Sequence, residues 1–109
     1  PFSLGDAFAG RDRRKTWILF SHALDSEDLK PEAVHGILFS QIKHMLLAKR
    51  ENKNPGLHPF AFQKAKQFSK NYSEEELEKL SSSLVALYHD SRRGICDMRI
   101  ALEQLILKI

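Results

Sequence analysis

Apolar residues recur every three or four positions along almost the whole chain, and this spacing constrains the fold more than any other feature. The spacing places apolar side chains on one face of an α-helix, whereas a half-buried strand needs apolar and polar residues in alternation. The sequence contains no alternating run of useful length and no Asn-Gly or Asp-Gly hairpin. We therefore predict an all-α fold, a compact bundle of about five to six helices.

Capping residues and helix breakers divide the chain into helical segments. Ser73 and Glu76 form the clearest capping box, and Ser3 with Asp6 forms a second one at the first helix. Gly10 ends the first helix, and Gly94 suits a left-handed C-cap of the fifth. The third helix stops before an Asn-Pro-Gly breaker at 54–56 in the longest loop, 52–58. The predicted helices cover residues 3–10, 12–24, 31–51, 59–71, 73–93 and 98–109.

The last predicted helix, which Asp97 can cap, is apolar nearly all the way round. A helix of this kind is either buried at the centre of a domain or lies between two surfaces. We leave both alternatives open and favour the second.

Length and composition are those of one ordinary globular domain, residues 1–109. The net charge of +3 and the pI of about 9.2 permit contact with nucleic acid or an acidic partner without requiring it. The single cysteine, Cys96, cannot form an internal disulfide. With no apolar run of about 20 residues and no signal-peptide pattern, we expect a cytoplasmic protein without membrane contact. The start at Pro1, directly before a helical pattern, suggests a fragment of a longer protein.

The sequence offers no recognisable catalytic or metal-binding pattern. Its five histidines lack the ligand spacing of zinc sites, and its glycines form no phosphate-binding loop. His89, Asp90 and Cys96 lie close in sequence, but the break at Gly94 separates them and nothing signals an oxyanion hole. We therefore predict a domain with no catalytic site, no cofactor and no metal.

Two groups of basic residues are candidates for contact with DNA or an acidic partner. The first group, 11–15, stands at a helix start, where positive charge opposes the helix dipole. In the second, lysines alternate with Phe62 and Phe68, which could form a stacking surface for single strands. The alternative, which we favour, is that these aromatic residues belong to the core. The candidate contacts are Arg11, Arg13, Arg14, Lys15, Lys66 and Lys70, with Lys64 also in the second group.

Read in order, the helices resemble the C-terminal domain of the delta subunit of bacterial DNA polymerase III, part of the sliding-clamp loader. Residues 2–8, Phe-Ser-Leu-Gly-Asp-Ala-Phe, are similar to the family pattern Phe-x-Leu-x-Asp-Ala-Leu. Their shared order and spacing carry the resemblance. The other matching pieces are residues 10–17, 35–39, 41–49, 58–60, 64–65, 72–73, 76–77, 93–94 and 101–106.

The resemblance implies a non-catalytic collar domain that packs against other clamp-loader subunits of the gamma/tau and delta-prime types. The sliding clamp and DNA would be reached through the complex rather than through this domain. An autonomous helical nucleic-acid-binding domain is the alternative function, and an enzyme using Cys96 or His89 is the least favoured. The residues that the resemblance suggests as contacts with other subunits are Gln41, Lys43, Lys49, Phe60, Lys64, Arg93, Leu102, Leu105 and Ile106.

Overall fold

A computed structural model describes residues 3–50 and 59–109. The all-α prediction is confirmed, since the described ranges form six α-helices and one 3-10 turn and contain no strand. The predicted end of the third helix at Glu51 and the breaker at 54–56 lie outside the described residues. The elements are α1 Leu4–Ala9, α2 Arg13–Asp25, α3 Pro31–Arg50, α4 Pro59–Phe68, the 3-10 turn Ser69–Asn71, α5 Glu74–Arg92 and α6 Met98–Leu107.

The longest helix, α3, is the centre of the bundle and contacts α1, α4, α5 and α6. Its fully buried side chains are Val34, Leu38, Ile42 and Met45, spaced three or four residues apart as the sequence pattern requires. Each buried side chain of this size stabilises the fold by roughly 1.5–3 kcal/mol. The fully buried side chains that other helices add to this core are Phe8, Phe20, Leu77, Leu84, Leu102 and Ile106.

One side of α6 packs into the core, and the opposite side is exposed. Ile100 and Leu107, seven residues apart and so on one helix face, are 54% and 50% exposed. Because α3 takes the central place, α6 is not the buried central helix of our first alternative. It is a surface helix whose outer side carries Ile100 and Leu107, with Glu103 and Gln104 between them. No described helix is long and apolar enough to cross a membrane.

The helix ends follow most of the predicted caps. The Ser73–Glu76 capping box is complete, and the Asp97 side chain caps α6. Gly94 has a φ of +75°, and the turn after α5 closes with the two backbone bonds of a Schellman motif.

Three details of the predicted helix ends need correction, and one is the last helix, predicted over 98–109, which ends at Leu107. Ser3 Oγ accepts from the backbone N–H of Asp6, but the Asp6 carboxylate accepts from Lys64 Nζ at 2.9 Å instead of reaching back to Ser3. The predicted fourth helix, 59–71, is α-helical only to Phe68, and its last turn tightens to 3-10 geometry.

Candidate interaction surfaces

Arg11 ties the end of α1 to the start of α5. Its backbone has a φ of 57°, so the left-handed residue after α1 is Arg11 and not the C-cap Gly10. The Arg11 guanidinium donates to both carboxylate oxygens of Glu76, at 2.7 and 3.0 Å, and to the carbonyl of Asn71 at 2.9 Å. It also lies 4.7 Å from the centre of the Tyr72 ring, within cation–π range. The hydrogen bond from Arg11 lowers the pKa of Glu76 to about 2.

The same junction satisfies the last carbonyls of α1. Tyr72 Oη donates to the Phe8 carbonyl at 2.6 Å, and Asn71 Nδ2 donates to the Ala9 carbonyl at 3.1 Å. Burial raises the pKa of the Tyr72 hydroxyl, which keeps it a donor. Arg11, a candidate contact for DNA or an acidic partner, thus stabilises the junction between α1 and α5 within the chain.

Nearby acceptors partly offset the unfavourable interaction of the other residues of the first basic group with the dipole of α2. The Asp12 side chain accepts from the backbone N–H of Lys15 and caps α2. Arg13 lies 3.4 Å from the carbonyl of Leu107, at the end of α6 where positive charge is favoured. Arg14 and Lys15 are exposed beside Ile18, which leaves these two cations on the surface.

The second basic group lies on α4 and the 3-10 turn, a stretch with three lysines and no acidic residue. The favoured alternative for Phe62 and Phe68 is confirmed: Phe62 is buried with Ala48 and Ala65, and Phe68 packs against the main core. The exposed aromatic residue is Phe60, at 71%. We call Phe60, Lys66 and Lys70 the α4 basic face, since all three are exposed on this stretch.

Charge is distributed unevenly along the sequence. Residues 33–73 hold seven of the 17 Lys and Arg residues but one of the 14 Asp and Glu residues. The net charge of that segment is therefore +6, whereas the remainder carries −3. Within the described ranges, Lys43, Lys49, Lys66 and Lys70 are exposed and take part in no ion pair. The α4 basic face is thus part of a longer basic segment.

The residues suggested as contacts with other subunits do not share one surface. Leu102 and Ile106 are fully buried and Leu105 nearly so, because their side chains fill the core between α6 and its neighbours. Leu102 and Ile106 are thus directed into the core of this domain, whereas Leu105 also lines a groove beside α6; their contact with other subunits stays a prediction. Gln41 packs against α1, where a Cβ on Gly5 would lie 2.8 Å from its Nε2.

The remaining suggested contacts lie on three separate parts of the bundle. Lys43 and Lys49 are exposed on α3, and Arg93 is exposed as the C-cap of α5. On α4, Phe60 is exposed, while the Lys64 ammonium pairs with Asp6 and lies 5.9 Å from the centre of the Phe68 ring.

A groove between α5 and α6 was not anticipated from the sequence. Its volume is about 420 Å³, and apolar and small side chains line most of it. Small residues one turn apart on α5, Ser83 and Ala86, were the signal that could have indicated a gap beside this helix. Cys96 lies at one end, half-buried, with Sγ 3.8 Å from the Leu87 carbonyl. Among the described residues, no three His, Cys, Asp or Glu side chains are grouped as metal ligands.

Comparison with known proteins gives one family and one fold relative. A family model described as the C-terminal domain of the DNA polymerase III delta subunit matches residues 1–109. The structure resembles the Bacillus subtilis DNA clamp loader delta protein (YqeN), with a TM-score of 0.82 at 21% sequence identity. That match covers 96% of this chain and 34% of the other, so the chain spans about a third of the relative's length. No curated protein sequence matches the chain.

Proposed function

The chain belongs to the family formed by the C-terminal domains of DNA polymerase III delta subunits, and we propose that it works as a non-catalytic assembly domain. In this role it packs against other clamp-loader subunits, of the gamma/tau and delta-prime types, in the collar of the complex that loads the sliding clamp. The proposed location is the cytoplasm, where such a complex would meet replicating DNA.

The observation that carries this proposal is the outer side of α6. Ile100 and Leu107 are half-exposed on the side opposite the core, and Ile95, in the turn before α6, is 67% exposed. A surface helix usually turns polar residues to water, whereas a helix with apolar residues on two sides is typical of one held between two surfaces. One surface is the core of this domain, and a neighbouring subunit would provide the other.

Replacing Ile100 with Glu tests this role without harming the fold. Position 100 is the third residue of α6, where Glu completes a capping arrangement with Asp97 and suits the helix dipole. We expect the free energy of unfolding to be maintained and the affinity for the other loader subunits to fall roughly tenfold, which corresponds to about 1.4 kcal/mol. Size-exclusion chromatography with light scattering, on the full-length protein mixed with those subunits, measures the assembled fraction.

Ile18→Glu is the matched control. Ile18 has the same 54% exposure as Ile100 but lies on α2, so the control protein should assemble as the unaltered protein does. If a delta subunit from which this domain (residues 1–109) has been deleted still assembled normally, the proposed function itself would be contradicted.

A second candidate function, contact with single-stranded nucleic acid, is favoured by the α4 basic face. An exposed aromatic ring and two exposed lysines on one short stretch, within a segment of net charge +6, provide the groups that stack bases and neutralise phosphates. This contact could operate within an assembled loader, since it uses α4 and not the outer side of α6.

Charge removal on the α4 basic face tests the second candidate. Lys66→Ala with Lys70→Ala should weaken binding of a single-stranded oligonucleotide and reduce the dependence of log K on log salt by about 1.4, for two lost phosphate contacts. Fluorescence anisotropy at several salt concentrations gives both values. The control pair, Lys79→Ala with Lys108→Ala, removes two cations that border the α5–α6 groove. Equal losses of affinity in the two pairs of variants would show that binding depends only on net charge, and this would contradict a binding role specific to the α4 basic face.

A further inference from the structure

The groove between α5 and α6 adjoins a second cavity, and no side chain of the described residues fills either one. The two helices run in opposite directions, because the start of α6 lies beside the end of α5 and the end of α6 lies beside its start. The α5 helix packs along α3 over a longer stretch than along α6. Two adjoining cavities, of about 420 and 290 Å³, share Leu80, Ser83 and Lys108 as lining residues. The second cavity is also lined by Arg11 and Tyr72, so the two cavities adjoin along the surface and the second lies nearer the start of α5.

The dimensions of this groove match a short helix. Lys79 and Asp90 border its opposite ends and are eleven residues apart on α5, which is about 16 Å, or three helical turns. Leu80, Leu87 and Leu105 give the groove an apolar floor. Small side chains such as Ser83, Ala86 and Ala101 form its walls, and a partner helix can therefore approach closely enough for its side chains to interdigitate.

The two ends of the groove carry opposite charge. Asp90 borders one end. The cavity towards the other end is lined by Lys79, Lys108, Arg11 and Glu76; Arg11 and Glu76 form an ion pair, so the two lysines leave an excess of positive charge there. Lys79 has one ion pair, to Glu75 at 3.8 Å, and both of these side chains are largely exposed, so its charge is weakly neutralised. Asp90 and Lys108 form no ion pair with any other described residue. A helix has a partial positive charge at its N-terminus and a partial negative charge at its C-terminus, so the end charges favour one direction for a bound helix.

We propose that this groove binds an apolar three-turn helix from a neighbouring clamp-loader subunit. The bound helix runs antiparallel to α5, with its N-terminus at Asp90 and its C-terminus between Lys79 and Lys108. This inference rests on the proposed assembly function and adds to it a second contact surface, distinct from the outer side of α6. Two surfaces are what a protein needs to contact two neighbours in a ring of heterologous contacts.

Adjacent serines on α5 provide a matched pair of variants. Ser83 lines both parts of the groove, whereas Ser82 is exposed outside it, about 100° away around the helix. Ser83→Arg places a long charged side chain over the apolar floor, and Ser82→Arg makes the same change beside it. Both positions are exposed, and arginine favours helix more than serine does, so both proteins should fold. We expect Ser83→Arg to weaken assembly of the full-length protein with the other loader subunits at least tenfold and Ser82→Arg to leave it unchanged.

The native thiol at the groove end gives a second measurement. Cys96 lines the groove beside Asp90, so a helix bound there should slow the alkylation of Cys96. Mass spectrometry measures the alkylation rate in the free protein and in the loader complex. Equal assembly of the two serine variants, with Cys96 alkylated at the same rate free and assembled, would overturn the groove proposal while leaving the assembly function intact. Failure of that function would instead appear as normal assembly without residues 1–109.

Separate experiments test the direction of the bound helix and the identity of the protein that supplies it. A photocrosslinker attached to native Cys96 should capture the N-terminal end of one helix in a neighbouring subunit. A photocrosslinker at Ile109→Cys, in a protein that also carries Cys96→Ser, should capture the C-terminal end of the same helix. The reverse assignment would overturn the proposed direction. A dimer of the full-length protein alone in sedimentation, dissociated by Ser83→Arg and not by Ser82→Arg, would identify a second copy as the occupant and overturn the proposed partner.

Discussion

At the scale of single residues, Arg11 shows how a strained backbone is held in place by side-chain contacts. A non-glycine residue with positive φ costs about 1–2 kcal/mol, and glycine avoids this cost. In this chain the glycine stands one position earlier, at the C-cap, and the left-handed conformation falls on an arginine. The contacts of its guanidinium with Glu76, Asn71 and Tyr72 explain why arginine occupies that position.

Two substitutions of Arg11 separate the strain from the contacts. Arg11→Ala removes the side-chain contacts and keeps the strained backbone, whereas Arg11→Gly removes both. We expect the glycine variant to have a free energy of unfolding about 1 kcal/mol higher than that of the alanine variant. Urea unfolding followed by circular dichroism measures the difference. Equal stabilities would mean that the left-handed turn carries no strain.

At the scale of helices, two glycines inside helices have opposite surroundings. Gly5 lies where α1 crosses α3, and an added Cβ would meet Gln41 Nε2 at 2.8 Å and Ile37 Cγ2 at 3.2 Å. Gly36, on the exposed side of α3, has no neighbouring atom within 4 Å of such a Cβ. The first glycine permits close helix packing, and the second has no packing reason to be glycine.

The alanine variants of these glycines should differ in stability. Gly36→Ala is expected to raise the free energy of unfolding by about 0.5–1 kcal/mol, because alanine favours helix and has fewer unfolded conformations. Gly5→Ala should gain less than Gly36→Ala, since Gln41 and Ile37 must move to admit the methyl group. Thermal unfolding of the two variants gives the order, and a larger gain at Gly5 would show that α1 packs less closely on α3.

The sequence predicted helices better than it predicted surfaces, and α6 shows why. Helical spacing and caps depend on residues within one or two turns of each other, so Ser73, Asp97 and Gly94 could be assigned locally. Whether Leu102 or Leu107 faces the core depends on where α2, α3 and α5 lie, which local spacing does not specify. The α5–α6 groove is a gap between two helices, and only the arrangement of the whole bundle defines it.

At the scale of the whole molecule, two of the three surfaces described above adjoin on α6, and the third lies on α4 and the 3-10 turn after it. The outer side of α6 and the α5–α6 groove are apolar, and the α4 basic face belongs to a segment of net charge +6. In the proposed assembly, α5 and α6 would face protein neighbours and α4 would remain available to a polyanion. The tests of the three surfaces therefore use substitutions on different helices, and each has its own control.

The junction between α1 and α5 also has a consequence for the order of folding during synthesis. Arg11 and Glu76 are 65 positions apart, and Tyr72 is 64 positions from Phe8. At about 5–20 residues per second, a ribosome needs roughly 3–13 seconds to make the chain between these partners. During that interval the carbonyls at the end of α1 cannot form their hydrogen bonds with the side chains of Asn71 and Tyr72. A helix of six residues is too short to persist alone, so α1 is synthesised before the other helices of this domain but is among the last of them to become stable.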